Sequence, residues 1–244
     1  MMDREFYITG TPIQTKFGSI RFLTYLEYLN HMSELNTIRL NVFHLYYQYK
    51  KQFNLIEFEP NEKKEILESL EEMKNQSLHS IVMSNSSSVD AYFKILKLVI
   101  DSEDSLEKIF DDAEIFMQIR EIVMDMNFIH EEEVSPNEEI QGYIEKSKEM
   151  KQRGAGNQSF SDIVSSVVVG SGLDYSTVFN MTVLQLYATY YRIAAVKDFE
   201  ISTLFATVSD KQKIESWHKH INLFENEKEG MSMEQFNTQF GSLF

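Results

Sequence analysis

The stretch "SFSDIVSSVVVGSGLDYSTVFNMTVLQLYATYYRI" (residues 159–193) decides how the chain folds. It is the most apolar part of the sequence, nearly free of charge, and punctuated by two glycines. Ser159 followed by Asp162 is a helix start of the capping-box type, because each side chain can satisfy a backbone N–H that the first turn leaves unpaired. Ile163, Val164, Val167 and Val168 then recur at helical spacing. Gly170 and Gly172 read as the stop, since glycine readily takes the left-handed conformation that ends helices. One short helical turn is predicted over residues 174–179, and Thr182 with Gln185 repeats the start signal. The helix that follows places Val183, Tyr187, Tyr190 and Ala194 on one face, with Leu184, Tyr191 and Ala195 beside them. An apolar band of that width predicts burial on most sides, with tyrosine hydroxyls reaching the edge of the core. The apolar run at residues 163–169 falls far short of the roughly 18 residues of a membrane span. The stretch therefore reads as helical core.

The composition agrees. The chain has 244 residues, 43% of them hydrophobic, with 18 Phe and 12 Tyr, which is enough to bury a substantial core. Nine glycines and three prolines are few for the many turns of a β-sandwich, so a mainly α, multi-helix globular body is expected. The exception is the opening, where β-branched and aromatic residues surround Gly10-Thr11-Pro12 and Phe17-Gly18. Two short strands are predicted there, a β-ribbon that must lie on the helical body or pair with another chain.

Between these ends the apolar spacing is helical. Tyr25, Tyr28, Leu29 and Met32 begin a run that continues through Ile38, Val42, Leu45, Tyr46, Tyr49 and Phe53, read as two helices or one bent one. A helix opened by Pro60 carries Ile66, Leu67, Leu70 and Met73 as its stripe. After the polar break at residues 84–90, Ser88 is the expected N-cap of a helix presenting Tyr92, Phe93, Leu96, Val99 and Ile100. Phe116, Ile119, Val123 and Met126 mark the next buried face. Charge-rich helix follows Pro136 and is broken by "GAGNQ". The expected division is residues 1–153, ribbon plus helical domain, and residues 154–244, a helical subdomain, with the boundary near Gly154. Past the opening stretch two short helices are expected, one with Leu204, Phe205 and Val208, the other with Ile214, Trp217, Ile221 and Phe224. Trp217, on that second stripe, is expected in the core. Phe236, Phe240 and Phe244, four residues apart, form an apolar stripe that either folds back on the body or binds a partner, and they are the candidate partner-binding residues.

No chemistry stands out. The sequence has no cysteine, which removes disulfides and thiolate sites. "GAGN" lacks the remaining residues of a phosphate loop, and no serine sits in a nucleophile elbow. His218 and His220 are two apart and point to different faces of a helix. His130 beside Glu131, Glu132 and Glu133 reads as a solvated acidic run. No catalytic residue, metal or cofactor is expected, and the chain reads as a non-enzyme. A net charge of −15 argues against nucleic acid and anionic membrane surfaces as partners.

A resemblance adds to this reading. "NMTVLQLYATYYRI" followed by "ISTLFATVSDKQKIESWHKHI" resembles a pattern in helical proteins encoded in the tail-gene clusters of tailed phages of Gram-positive hosts. It is carried by Met181, Thr182, Gln185, Leu186, Tyr187, Leu204, Ala206, Lys211, Lys213 and Trp217. "EIFMQIREIVMDMNFI" is similar to the family's helix with an arginine, an apolar pair and an asparagine, and the opening to its ribbon and first helix. The chain departs from the pattern at Thr207 and in the polar insert at residues 131–158. The resemblance implies a tail assembly chaperone, which keeps the tape-measure protein soluble in the host cytoplasm until tail-tube subunits polymerise around it. The partners implied are phage tail proteins, the tape-measure and the tail tube, and a homo-oligomer is compatible with the role. Two other readings stay open: a structural component that remains in the virion, such as a connector, baseplate or tail subunit, and an acidic regulator directed at a host protein.

Overall fold

The computed structural model describes residues 4–56, 58–131, 134–154, 159–208, 214–221 and 223. A 3-10 helix, Arg4–Thr9, leads into an antiparallel ribbon of β1 (Ile13–Thr15) and β2 (Gly18–Ile20), with Ile13 opposite Ile20 and Thr15 opposite Gly18. Helices then follow in chain order: α1 (Tyr25–Asn30), α2 (Met32–Ile38), α3 (Val42–Phe53), α4 (Pro60–Met73), α5 (Leu78–Ser84), α6 (Ser86–Val99), α7 (Glu103–Asp111), α8 (Ala113–Met126), α9 (Glu138–Gly154), α10 (Phe160–Ser171), α11 (Tyr175–Phe179) and α12 (Val183–Ala206). The fold is mainly α with a short N-terminal ribbon, as the residue spacing predicts. The ribbon lies on its own helical body: Ile20 bridges Ile100, and the Arg21 N–H donates to the Val99 carbonyl at 2.9 Å.

Helix boundaries differ from the periodicity in three places. The run from Tyr25 to Phe53 is three helices, broken at His31 and again before Asn41, whose side chain accepts from the His44 N–H at 3.0 Å. The cap before α6 is Asn85, accepting from the Ser88 N–H at 3.1 Å, so Ser88 lies in the first turn. After Ile193 nothing in the sequence breaks the helix. Ala194 and Ala195 favour it, and α12 continues unbroken to Ala206. The predicted boundary near Gly154 falls at the end of α9, and residues 155–158 lie outside the described residues.

The larger core joins the ribbon to α2 and to α5 through α8, around Tyr92, Ile95, Val99, Ile109, Phe116, Ile119 and Val123, all essentially inaccessible. Two buried polar residues, Arg120 of α8 and Asn127 at its C-cap, clamp it. Arg120, 4% exposed, donates from Nε to the Ile38 carbonyl at 2.9 Å and to the Tyr92 hydroxyl at 3.2 Å, and from Nη2 to the Leu40 carbonyl at 3.2 Å. Its third nitrogen pairs with Glu131 at 2.5 Å. The guanidinium thus meets the carbonyls that α2 leaves unpaired at its C-terminal end, where the helix dipole also favours a cation. Two turns on, the Asn127 side-chain carbonyl oxygen accepts from the Leu23 N–H at 2.9 Å while its amide donates to the Val123 carbonyl at 2.8 Å. A smaller cluster of Tyr46, Phe53 and Leu70 holds α3 against α4.

The second core is built largely from residues 159–193. Ile163, Val164 and Val167 of α10 meet Val178, Val183 and Leu186, and Tyr25 of α1 completes the cluster. Tyr25 stacks on Phe179 with ring centroids 6.4 Å apart, its N–H donates to the Met181 carbonyl at 2.7 Å, and Thr24 bridges Thr182. Tyr28 and Phe128 pack against both cores, so α1 is the seam between them. Burial pushes the Tyr25 hydroxyl up to about 12, and burial with the hydrogen bond to Asp125 does the same for Tyr7. A raised folded-state value means that this stability is complete below pH 10, the ordinary tyrosine value, and is lost as the pH rises from there through about 12. Unfolding followed by circular dichroism is expected to show an alkaline transition in that window, and Tyr25→Phe is expected to shallow it.

The two glycines separate in role. Gly172 caps α10 with φ +75°, as its position predicts. Gly170 sits inside the helix and does not stop it. A Cβ there would lie 2.6 Å from Cγ2 of Ile193, so its missing side chain is what lets α10 and α12 approach. Gly170→Val is therefore expected to cost about 1–3 kcal/mol through overpacking. Adding Ile193→Ala to it should recover part of that loss, which a double-mutant cycle in urea would measure.

Candidate partner-binding surface

At 24 residues, α12 is about 36 Å long, twice the length of α10. Its first half is core: Val183, Leu184 and Leu186 are buried, and Tyr187, Tyr190 and Ile193 pack against the second cluster. Its second half is different. Ser202 is buried, while Ile201 (52% exposed), Leu204 (69%), Phe205 (58%) and Val208 (81%) stand in the open. Ile201, Leu204 and Phe205 fall at i, i+3 and i+4, the spacing of one helix face, and Val208 follows in the turn two residues past the end of α12. The face stays soluble through its neighbours: Lys197 pairs with Glu200 at 2.8 Å, and Asp198 is exposed beside them.

Residues 214–221 return alongside α12. Arg192 Nη1 donates to the carbonyls of Trp217 at 2.5 Å and Lys219 at 3.1 Å, far back from the end of the helix. The helix expected from Ile214 onward does not form among residues 214–221, and Trp217 is 46% exposed, not core. The guanidinium takes two carbonyls from this segment, and among its described residues Ile221 and Leu223 turn inward. They close a groove of about 570 Å³ between Arg4–Thr9 and the first half of α12, floored by Leu184 and Ala188.

A larger cavity, about 850 Å³, lies between the ribbon and α8. Its charged groups pair across it: Arg4 with Asp125 at 2.7 Å, Tyr7 hydroxyl donating to Asp125 at 3.0 Å, and Arg120 with Glu131. Those contacts fasten the 3-10 helix and the loop after α8 to the core, so the cavity wall is structural. His130 packs edge-on against Phe128, and His218 is exposed with its ring beside the Ser216 hydroxyl. Among the described residues no three His, Asp or Glu side chains converge as metal ligands, and no helix is long and apolar enough to cross a membrane.

The candidate residues Phe236, Phe240 and Phe244 lie outside the described residues. The surface that the structure adds, Ile201 through Val208, was partly visible: Leu204, Phe205 and Val208 read as one apolar stripe. That reading placed them on one short helix and left open what covers them, because spacing alone shows which residues share a face and not whether anything covers it.

The fold and this surface define a helical protein with two apolar cores and an uncovered apolar helix end. Comparison gives its lineage. Residues 2–136 match the YomV N-terminal domain and residues 148–222 the YomV second domain. The chain is 34% identical over 230 residues to the SPbeta prophage-derived uncharacterized protein YomV of Bacillus subtilis (strain 168), an alignment spanning 94% of this chain and 93% of that protein. The chain belongs to the YomV family and is phage-derived. No solved structure matches it.

Proposed function

We propose that the chain is a non-enzymatic phage morphogenesis protein of the tail assembly chaperone type, working in the host cytoplasm. It holds an apolar helical segment of the tape-measure protein on the uncovered face of α12. The observation that carries this reading is that face: Ile201, Leu204 and Phe205 in helical register with Val208 just past them, each more than half exposed, on a chain of net charge −15. A contiguous apolar patch on an otherwise charged protein marks an interaction site, and an i, i+3, i+4 stripe suits a partner helix. The small size of the stripe makes each contact weak, which suits a partner that polymerising tube subunits must displace. The net charge keeps loaded copies apart. The phage lineage and the resemblance at Met181, Thr182, Gln185 and Leu186 support the same role.

Co-expression with the tape-measure protein of the same phage tests it. The expected result is a soluble, co-purifying tape-measure protein, and its loss with the Leu204→Asp, Phe205→Asp double variant. Equal tape-measure solubility with and without the chain would overturn the proposal. Finding the chain in purified virions by mass spectrometry would favour the virion component instead. That alternative drew on a ribbon free to pair with a neighbouring subunit, whereas β2 bridges Ile100 of its own chain.

A further inference from the structure

We propose that residues 214–221 form a two-state strap, held in a non-helical path along α12 by the Arg192 guanidinium and able to leave it as a helix, opening the groove beneath. The device is independent of what the end of α12 binds.

Three observations point to it. The first is a conflict between local sequence and local structure. Ile214, Trp217 and Ile221 are three and four residues apart, and Glu215 pairs with Lys219 at 3.4 Å, an i, i+4 pair in the order that favours a helix. On a helix the three apolar side chains would share one face. Here residues 214–221 are not helical and the three are split: Ile221 lines the groove, while Ile214 (47%) and Trp217 (46%) stand exposed. A segment whose local pattern disagrees with its tertiary path has a second conformation close in energy. The second observation is exclusive bonding. In an α-helix the Trp217 carbonyl accepts from the N–H of residue 221, and the Lys219 carbonyl from that of residue 223. Both carbonyls instead accept from one atom, Arg192 Nη1, at 2.5 and 3.1 Å. On a helix they would lie about 200° apart around the axis, beyond the reach of one nitrogen. Arg192 therefore holds both only while that helix is unformed. The third is thin packing. Ile221 and Leu223 have hollows on two sides, the groove of about 570 Å³ floored by Leu184 and Ala188, and another of about 350 Å³ against Thr189 and Ile193. A segment fixed by so few buried contacts opens at low cost.

Cα chemical shifts of residues 214–221, measured by NMR on the full chain, test the strap, because they move in opposite directions for helical and extended backbone. Arg192→Gln removes the clamp. It is expected to raise the released, helical population about tenfold, as the loss of a hydrogen bond to a charged group would, and to move these shifts toward helix. Trp217 is the one tryptophan in the sequence, so a change in its fluorescence should accompany the step. Ser216→Ala combined with His218→Ala keeps Arg192 and alters two exposed side chains. By raising helix propensity it should move the same shifts in the same direction, by less. Unchanged shifts in either protein would overturn the proposal. Movement toward random-coil values in the Arg192→Gln chain would overturn it as well, by showing a segment cut loose with no second folded state.

Discussion

Replacing Arg120 with alanine is expected to lower the unfolding free energy by about 3–5 kcal/mol, because several buried acceptors lose their donor at once and each unsatisfied group costs about 1–3 kcal/mol. The size follows from what the guanidinium leaves behind. The Ile38 and Leu40 carbonyls lose their side-chain donor at a helix end, the Tyr92 hydroxyl loses a neighbour in the centre of the core, and a cavity opens between α2, α6 and α8. Glu131, about two-fifths exposed, can return to water and contributes least. For a domain of this size the loss corresponds to a fall in Tm of roughly 10 °C. Arg120→Lys should recover little, because one ammonium cannot reach acceptors on three sides. Urea denaturation of the three proteins checks this. A loss below about 1 kcal/mol would mean that water serves those carbonyls as well as arginine does.

The second large effect is expected at Leu186, which is fully buried where α10 and α12 meet α1. Leu186→Ala removes buried methyl groups from a core of only seven buried residues and should cost about 2–5 kcal/mol. A small core has few neighbours that can close over a cavity, which favours the upper part of that range. Because Tyr25 and Tyr28 belong to the seam between the cores, the loss should extend beyond α10–α12. Amide exchange of α1 is expected to quicken together with that of α10. Faster exchange in α10 alone would show that the second core opens independently.

Much of this architecture was legible from residue spacing. The capping boxes at Ser159–Asp162 and Thr182–Gln185 form as read, with both reciprocal hydrogen bonds. The buried face of α8 is the predicted Phe116, Ile119, Val123 and Met126, and the ribbon falls at the predicted turn. What spacing missed are contacts that span long sequence separations. Arg120 looks like a surface charge until Ile38 and Leu40, at and just past the end of α2, supply its acceptors. Gly170 looks like a helix stop until Ile193 is placed against it. Trp217 looks like core because its neighbours repeat at three and four, but Arg192 draws the backbone of Trp217 and Lys219 out of helical pairing. The binding surface was the least legible part. Its residues carry the same apolar signal as a core, and only the uncovered end of α12 distinguishes them.

On the proposed function, the chain holds another protein's helix on the face from Ile201 to Val208. Hydrogen–deuterium exchange of the purified chain, alone and with a soluble tape-measure fragment, tests it most directly. Slowed exchange concentrated in residues 194–208, with the first core unchanged, is the expected result. Protection confined to the ribbon and α8, or no difference at all, would contradict it.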